Sequence, residues 1–281
     1  MKGLRSRVGG VEQLRIPSGD LVLDAVATGP ADGPVVVLLH GFPQSSRSWR
    51  GVWPALAGAG LRVVAPDLRG YSPDARPVGV EHYRMPLLVD DVLAVVDATG
   101  GGPVHLVGHD WGAAIAWHVA ARHPDRLRTL TAVSVPHPLA FVEALTTDAD
   151  QRRRSQYMRD WLSPETETAL LAGGLEEVFG GVPELDAEPY VAALRAPGAL
   201  TAALNYYRAQ SRADLDGLGP VTTPTLHVWS DQDAALGRAG ALATAAHVVG
   251  PYRFEVLEGV SHWVPEQAPD RLSDLLLSHL R

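Results

Sequence analysis

Three residues far apart in the chain have the types needed for one reaction centre: Asp110, Asp233 and His262. Asp110 stands in Gly108-His109-Asp110-Trp111-Gly112, after the apolar run Val104 to Val107 and before Ala113, Ala114, Ile115, Ala116 and Ala120. Such a run reads as a buried strand, and the residues after it are mostly good helix formers. A strand that becomes a helix within a few residues crowds its own backbone, and Gly108 and Gly112 supply the small residues this needs. The tip residue then projects over the carboxyl end of the sheet. A serine at such a tip would need a base to become a nucleophile. An aspartate, with an ordinary pKa of about 3.9, is already ionised at neutral pH. A carboxylate attacking an ester carbonyl would give an anhydride. Attacking an sp3 carbon that bears a leaving group, it gives an alkyl ester of the enzyme. Hydrolysing that ester takes water and a base. By itself the five-residue pattern reads more simply as a strand-to-helix turn with an N-capping Asp.

The rest of the chain supplies partners. His262 lies in Glu258-Gly259-Val260-Ser261-His262-Trp263, after the apparent strand Arg253 to Leu257 and before a helix. Of eleven histidines it alone combines that loop position with a place after both the nucleophile and the acid. The acid is expected in Ser230-Asp231-Gln232-Asp233, at the end of the strand-like run Thr225 to Trp229. Asp233 lies deeper in the turn and is the expected partner of His262. Asp231 is then a solvated or capping acid, and a purely capping role for both stays open. His109 is expected to point into the core.

These residues need a scaffold that brings strand ends together. Leu21 to Thr28, Val35 to Leu39, Leu61 to Pro66, Val104 to Val107 and Leu127 to Val135 read as strands, with helices over Trp49 to Ala59 and Met85 to Thr99. Strands alternating with helices predict a parallel sheet covered on both faces, with working residues at the strands' carboxyl ends. From Pro136 to Leu218 strand signals vanish. Helical segments follow instead, around Asp148 to Leu162, Glu165 to Ala172, Ala187 to Leu194 and Gly198 to Ser211, punctuated by Pro183, Pro189 and Pro197. The expected organisation is a core of residues 1–135 and 219–281 with an inserted helical cap at 136–218.

Composition narrows the chemistry. The 281 residues are 46% hydrophobic, enough for a large core, and carry a net charge of −8, which disfavours nucleic acid as a partner. There is no cysteine, so disulfides, thiol catalysis and cysteine zinc sites are excluded. Lys2 is the sole lysine, which excludes an internal Schiff-base or P-loop lysine. The basic stretch Met1 to Arg7 is followed by no apolar segment, and no run approaches the ~18 residues of a membrane span. A cytoplasmic protein is expected, with the oligomeric state, a homodimer included, left open.

Taken together, His40-Gly41-Phe42-Pro43, Asp67-Leu68-Arg69-Gly70-Tyr71, the Asp110 turn, Asp233 and His262 resemble the α/β-hydrolases of the epoxide hydrolase group, over nearly the whole chain. The order nucleophile, acid, histidine is that of their triad. The resemblance implies an α/β-hydrolase fold and conversion of an epoxide and water to a vicinal diol, without cofactor or metal. It implies an oxyanion hole from the backbone N–H groups of Phe42 and Trp111. Asn205-Tyr206-Tyr207-Arg208 resembles the Asn-Trp-Tyr-Arg segment of those caps, with Tyr206 in place of Trp. This makes Tyr207 one of two proton-donating tyrosines, and Tyr157 the candidate for the other. His40, Pro43, His137 and Trp263 are expected around the pocket for a small hydrophobic substrate. Haloalkane and haloacid dehalogenases share the Asp-His-Asp chemistry and form the alternative. A ligand-binding protein that has lost turnover is the alternative from another class.

Overall fold

The computed structural model describes residues 6–8, 10–180 and 187–281; most of the basic N-terminal stretch and Pro183 lie outside them. The first half alternates strands and helices: β1 (Ser6–Val8), β2 (Val11–Ser18), β3 (Leu21–Thr28), β4 (Val35–Leu39), α1 (Trp53–Gly58), β5 (Arg62–Pro66), α2 (Met85–Ala98), β6 (Val104–His109), α3 (Trp111–Arg122) and β7 (Leu127–Val133). A run of helices follows: α4 (Pro138–Thr147), α5 (Ala149–Arg154), α6 (Gln156–Asp160), α7 (Thr166–Ala169), α8 (Leu175–Val178), α9 (Glu188–Leu194) and α10 (Ala199–Arg208). The sheet pattern then resumes with β8 (Thr225–Ser230), α11 (Arg238–Ala243), β9 (Tyr252–Leu257), α12 (Val264–Gln267) and α13 (Pro269–His279).

The nine strands of the described residues form one sheet in the order β1-β2-β3-β5-β4-β6-β7-β8-β9. The first three pair antiparallel and β3 meets β5 antiparallel, while every later pairing is parallel. The apolar strands read as continuous runs because both faces are covered. In β4, Val37 and Leu39 join the core beneath α2 and α3, whereas Val36 and Leu38 join the core beneath α1 and α13. The two-residue period of a strand thus sends alternate side chains into two separate cores. The carboxyl ends of β4, β6 and β8 come out along one rim.

Several elements depart from the sequence expectation. Residues 49–59 are not one helix: a 3-10 turn, Ser46–Gly51, precedes α1, and Pro54 sits in the first turn of α1, where its missing N–H costs nothing. The Leu127 strand stops at Val133 because Ser134 takes φ +70°. The stretch 148–162 breaks at Ser155 into α5 and α6. Helix α4, unexpected, starts on Pro138 with the His137 side chain as its cap. β2, also unexpected, pairs with the expected β3. Among the described residues no helix is long and apolar enough to cross a membrane.

Candidate active site

β6 runs directly into α3, and Asp110 is the hinge, with φ 50° and ψ −122°. That backbone region is strained for a residue with a side chain and marks a position held by its surroundings. The surroundings are tight. A Cβ on Gly108 would fall onto the backbone of Gly112, and one on Gly112 onto the backbone of Leu39. One on Gly41 would fall onto Asp110 itself. Glycine is therefore required at all three positions. Asp110 Oδ1 accepts the Phe42 N–H at 2.7 Å, and the Trp111 N–H also bonds the carboxylate. Two backbone donors thus converge on one carboxyl group at the start of a helix, where N–H groups point outward unpaired.

His262 lies across from it. Its Nε2 is 3.5 Å from Asp110 Oδ2, and its Nδ1 is 2.8 Å from Asp233 Oδ2. Asp233 is fully buried, and its other oxygen accepts the N–H groups of Ala235 and Leu236 at 2.8 and 2.9 Å. Asp231 instead accepts the Gly259 N–H at 2.7 Å and does not reach the histidine. Burial disfavours the imidazolium, but the Asp233 and Asp110 carboxylates outweigh it and push His262 up to about 10. Burial likewise raises Asp110, and His262 and His109 reverse this, leaving its carboxyl below the ordinary value. The His262 ring thus stands between two carboxylates, Asp110 on one side and Asp233 on the other.

The cap closes over this pair. Tyr157 and Tyr207 line a cavity of about 420 Å³ together with Asp110 and Trp111. Their rings lie 6.2 Å apart, nearly perpendicular, and their hydroxyls are hydrogen-bonding neighbours. Burial and then nearby charge, Asp110 included, push both hydroxyls well above 10, so both keep their protons. Phe141, Leu145, Met158 and Leu236 make the remaining wall mostly apolar. Tyr206 faces the other way, and its hydroxyl donates to the Arg69 carbonyl at 2.7 Å. It pins α10 to the core, which sets the height of Tyr207.

A family profile for the alpha/beta hydrolase fold matches residues 34–269. The AB hydrolase superfamily protein YfhM of Bacillus subtilis is 33% identical, over 97% of this chain and 99% of its own. Epoxide hydrolase A of Mycobacterium tuberculosis is 30% identical, over 97% and 98%. A solved structure described as one of the novel epoxide hydrolases in metagenomes from hot environments superposes with a TM-score of 0.85. It is 31% identical and covers 96% of this chain and 98% of its own. The chain belongs to the α/β-hydrolase family, in its epoxide hydrolase group.

Other residues of this α/β-hydrolase fall elsewhere than its sequence suggests. His40 is not a pocket residue: it is fully buried, with Nδ1 near the Gly41 carbonyl and Nε2 accepting the Leu68 N–H at 3.0 Å. It braces the loop that carries Phe42. His137 is not one either; it is fully buried, stacks on His247 at 4.7 Å and caps α4. Pro43 and Trp263 are buried beside the site without lining the cavity. Trp263 packs on Phe179 and against His262. His118, unmarked in the sequence, does line the cavity. His109 is inside, as expected, yet its ring bonds toward the main chain of His262 at 2.8 Å. Among the described residues, no group of three His, Cys, Asp or Glu could hold a metal ion.

Proposed function

We propose that this hydrolase opens epoxides to vicinal diols through an ester on Asp110. The observation that supports this reading best is the pair Tyr157 and Tyr207 in one apolar cavity with Asp110. A halide leaves as a stable anion. An epoxide oxygen leaves as an alkoxide and needs a proton donor as its bond breaks. Relatives named epoxide hydrolase point the same way.

In the first half-reaction an Asp110 oxygen attacks a ring carbon, and the carbon–oxygen bond opposite breaks. A cap tyrosine gives its proton to the departing oxygen. Esterification removes the Asp110 charge, one of the causes that raise the tyrosine pKa values, so the tyrosinate becomes easier to form. It also removes part of what holds the proton on His262. The imidazolium releases that proton, which returns the tyrosinate to its acid form. Neutral His262, oriented by Asp233, then takes a proton from water. The hydroxide attacks the carboxyl carbon of the ester, and the N–H groups of Phe42 and Trp111 hold the oxyanion. The diol leaves with the proton from His262, and the acid proton then left on Asp110 passes to His262, which restores the carboxylate and the imidazolium. The sum is one epoxide plus one water to one diol, and no cofactor enters.

The direct test incubates the protein with styrene oxide, an aliphatic epoxide and a bromoalkane and identifies products. Diol from an epoxide is expected. Bromide release without diol would make the protein a dehalogenase, and binding without any product would make it a ligand-binding protein.

A further inference from the structure

A chain of polar groups runs from the cap to the main chain of His262, and the two half-reactions use none of it. His109 Nε2 lies 2.8 Å from the His262 carbonyl oxygen, and His109 Nδ1 lies 3.1 Å from the side-chain oxygen of Gln44. The Gln44 amide nitrogen donates to Glu266 Oε1 on α12. The Tyr190 hydroxyl of α9 donates to the same oxygen at 3.1 Å. Glu266 Oε2 is shut off from solvent with no hydrogen-bond partner.

Counting hydrogens on this chain exposes a conflict. Both ring nitrogens of His109 face acceptors, which only an imidazolium could satisfy. Burial, then the charge of His262, pushes His109 down to about 4, so at neutral pH the ring has one N–H. A glutamine amide can present either end to a neighbour. Turned over, Gln44 donates its NH₂ to His109 Nδ1, and His109 Nε2–H is free to donate to the His262 carbonyl. The Gln44 oxygen then faces Glu266 Oε1, and that contact is a hydrogen bond only if Glu266 carries the proton. The orphaned Oε2 agrees, because a buried carboxylate oxygen without a donor costs much more than the oxygen of a neutral acid.

We propose that Glu266 is a positioning residue for the catalytic base: as the carboxylic acid it fixes the Gln44 amide, and through it the His109 tautomer that holds the main chain of His262. This rests on His262 acting as the base in ester hydrolysis. The groups facing Glu266 are Tyr190 from α9 and Gln44 and Arg50 from the segment after β4, with His109 behind Gln44. Burial pushes the Glu266 carboxyl up to about 7, against the hydrogen bonds from Tyr190 and Gln44 and the charge of Arg50. Its proton is therefore exchanged within the ordinary working range. Once it is lost, Gln44 turns its NH₂ onto the carboxylate, His109 takes the Nδ1–H form, and a bare Nε2 faces the His262 carbonyl.

The test measures hydrolysis of the preformed alkyl-enzyme in single turnovers between about pH 6 and 9, in wild type and Glu266→Gln. In wild type the rate should fall roughly tenfold on the alkaline side, the cost of one lost buried hydrogen bond. The amide introduced by Glu266→Gln would donate at every pH, so the alkaline fall should vanish in that variant. An alkaline fall of the same size and midpoint in both proteins would overturn the proposal. Nitrogen-15 NMR of histidine-labelled wild type checks it without substrate and without a variant. His109 should be Nε2–H at pH 6 and Nδ1–H near pH 9, and a single tautomer throughout would overturn the proposal. If wild type forms no alkyl-enzyme at all, the assignment of Asp110 fails, and the role of Glu266 in hydrolysis fails with it.

Discussion

The two carboxylates after β8 differ in what they accept. Asp233 spends one oxygen on two backbone N–H groups and the other on His262, whereas Asp231 ties down only Gly259. Removing the negative charge from the true partner takes away both the orientation of the imidazole and the stabilisation of its cation. Asp233→Asn should therefore slow turnover by roughly 10²–10⁴-fold. Asp231→Asn should stay within a factor of a few. Steady-state rates of the two variants decide it, and the opposite ranking would assign the acid to Asp231. At this scale the sequence was informative wherever placement follows from chain position. Asp110, Asp233 and His262 each lie just past a strand, so their order alone predicts a common rim. His40 and His137 misled because the fate of a ring nitrogen depends on what packs against it. His40 Nε2 accepts the Leu68 N–H, and His137 Nδ1 accepts the Leu139 N–H while its ring stacks on His247. Gln44 and Glu266 are 222 residues apart and belong to no motif, so no local signal marks their contact.

Helix α5 has a task that its sequence does not advertise. The fully buried Gln151 accepts the Gly237 N–H at 2.7 Å and donates to the Ala235 carbonyl at 2.8 Å. Arg154, one turn on, donates to the main-chain oxygen of Asp233. The cap thereby grips the loop that carries Asp233. Gln151→Ala leaves two main-chain groups buried and unpaired, at a cost of about 1–3 kcal/mol each. The melting temperature should drop by roughly 4–12 °C, and the Gly237 amide should exchange hydrogen faster than in wild type. Protection of Gly237 that matches wild type would refute the grip. The cap was also the part whose elements were hardest to read. Pro136 and Pro138 look like breakers, yet Pro138 begins α4, because the first turn of a helix needs no N–H. The sheet strands were easier, since burial on both faces leaves an unbroken apolar run.

Across the whole molecule, buried histidines set the response to pH. Burial pushes His105, His109 and His118 down to about 4, and His137 and His227 down to about 3. Each is neutral in the folded protein at a pH where the unfolded chain, near 6.5, already binds a proton. Their contribution is complete above pH 6.5 and is lost as pH falls toward 3–4. His262 has the opposite sign. Raised to about 10, it contributes fully below pH 6.5, and its contribution is lost as pH rises through 10. The melting temperature should peak near neutrality and fall by roughly 10 °C or more between pH 7 and 5. A melting temperature that is flat across that interval would mean these rings are not neutral in the folded state.

The central claim, that Asp110 forms an ester which His262 hydrolyses, can be tested in one measurement. His262→Ala keeps the nucleophile, the two backbone donors and the cap tyrosines but removes the base. After addition of an epoxide that wild type turns over, intact-mass spectrometry should find one substrate mass added per protein, and digestion should place it on the peptide containing Asp110. A protein that stays at its original mass, or an adduct on any other residue, would contradict the account.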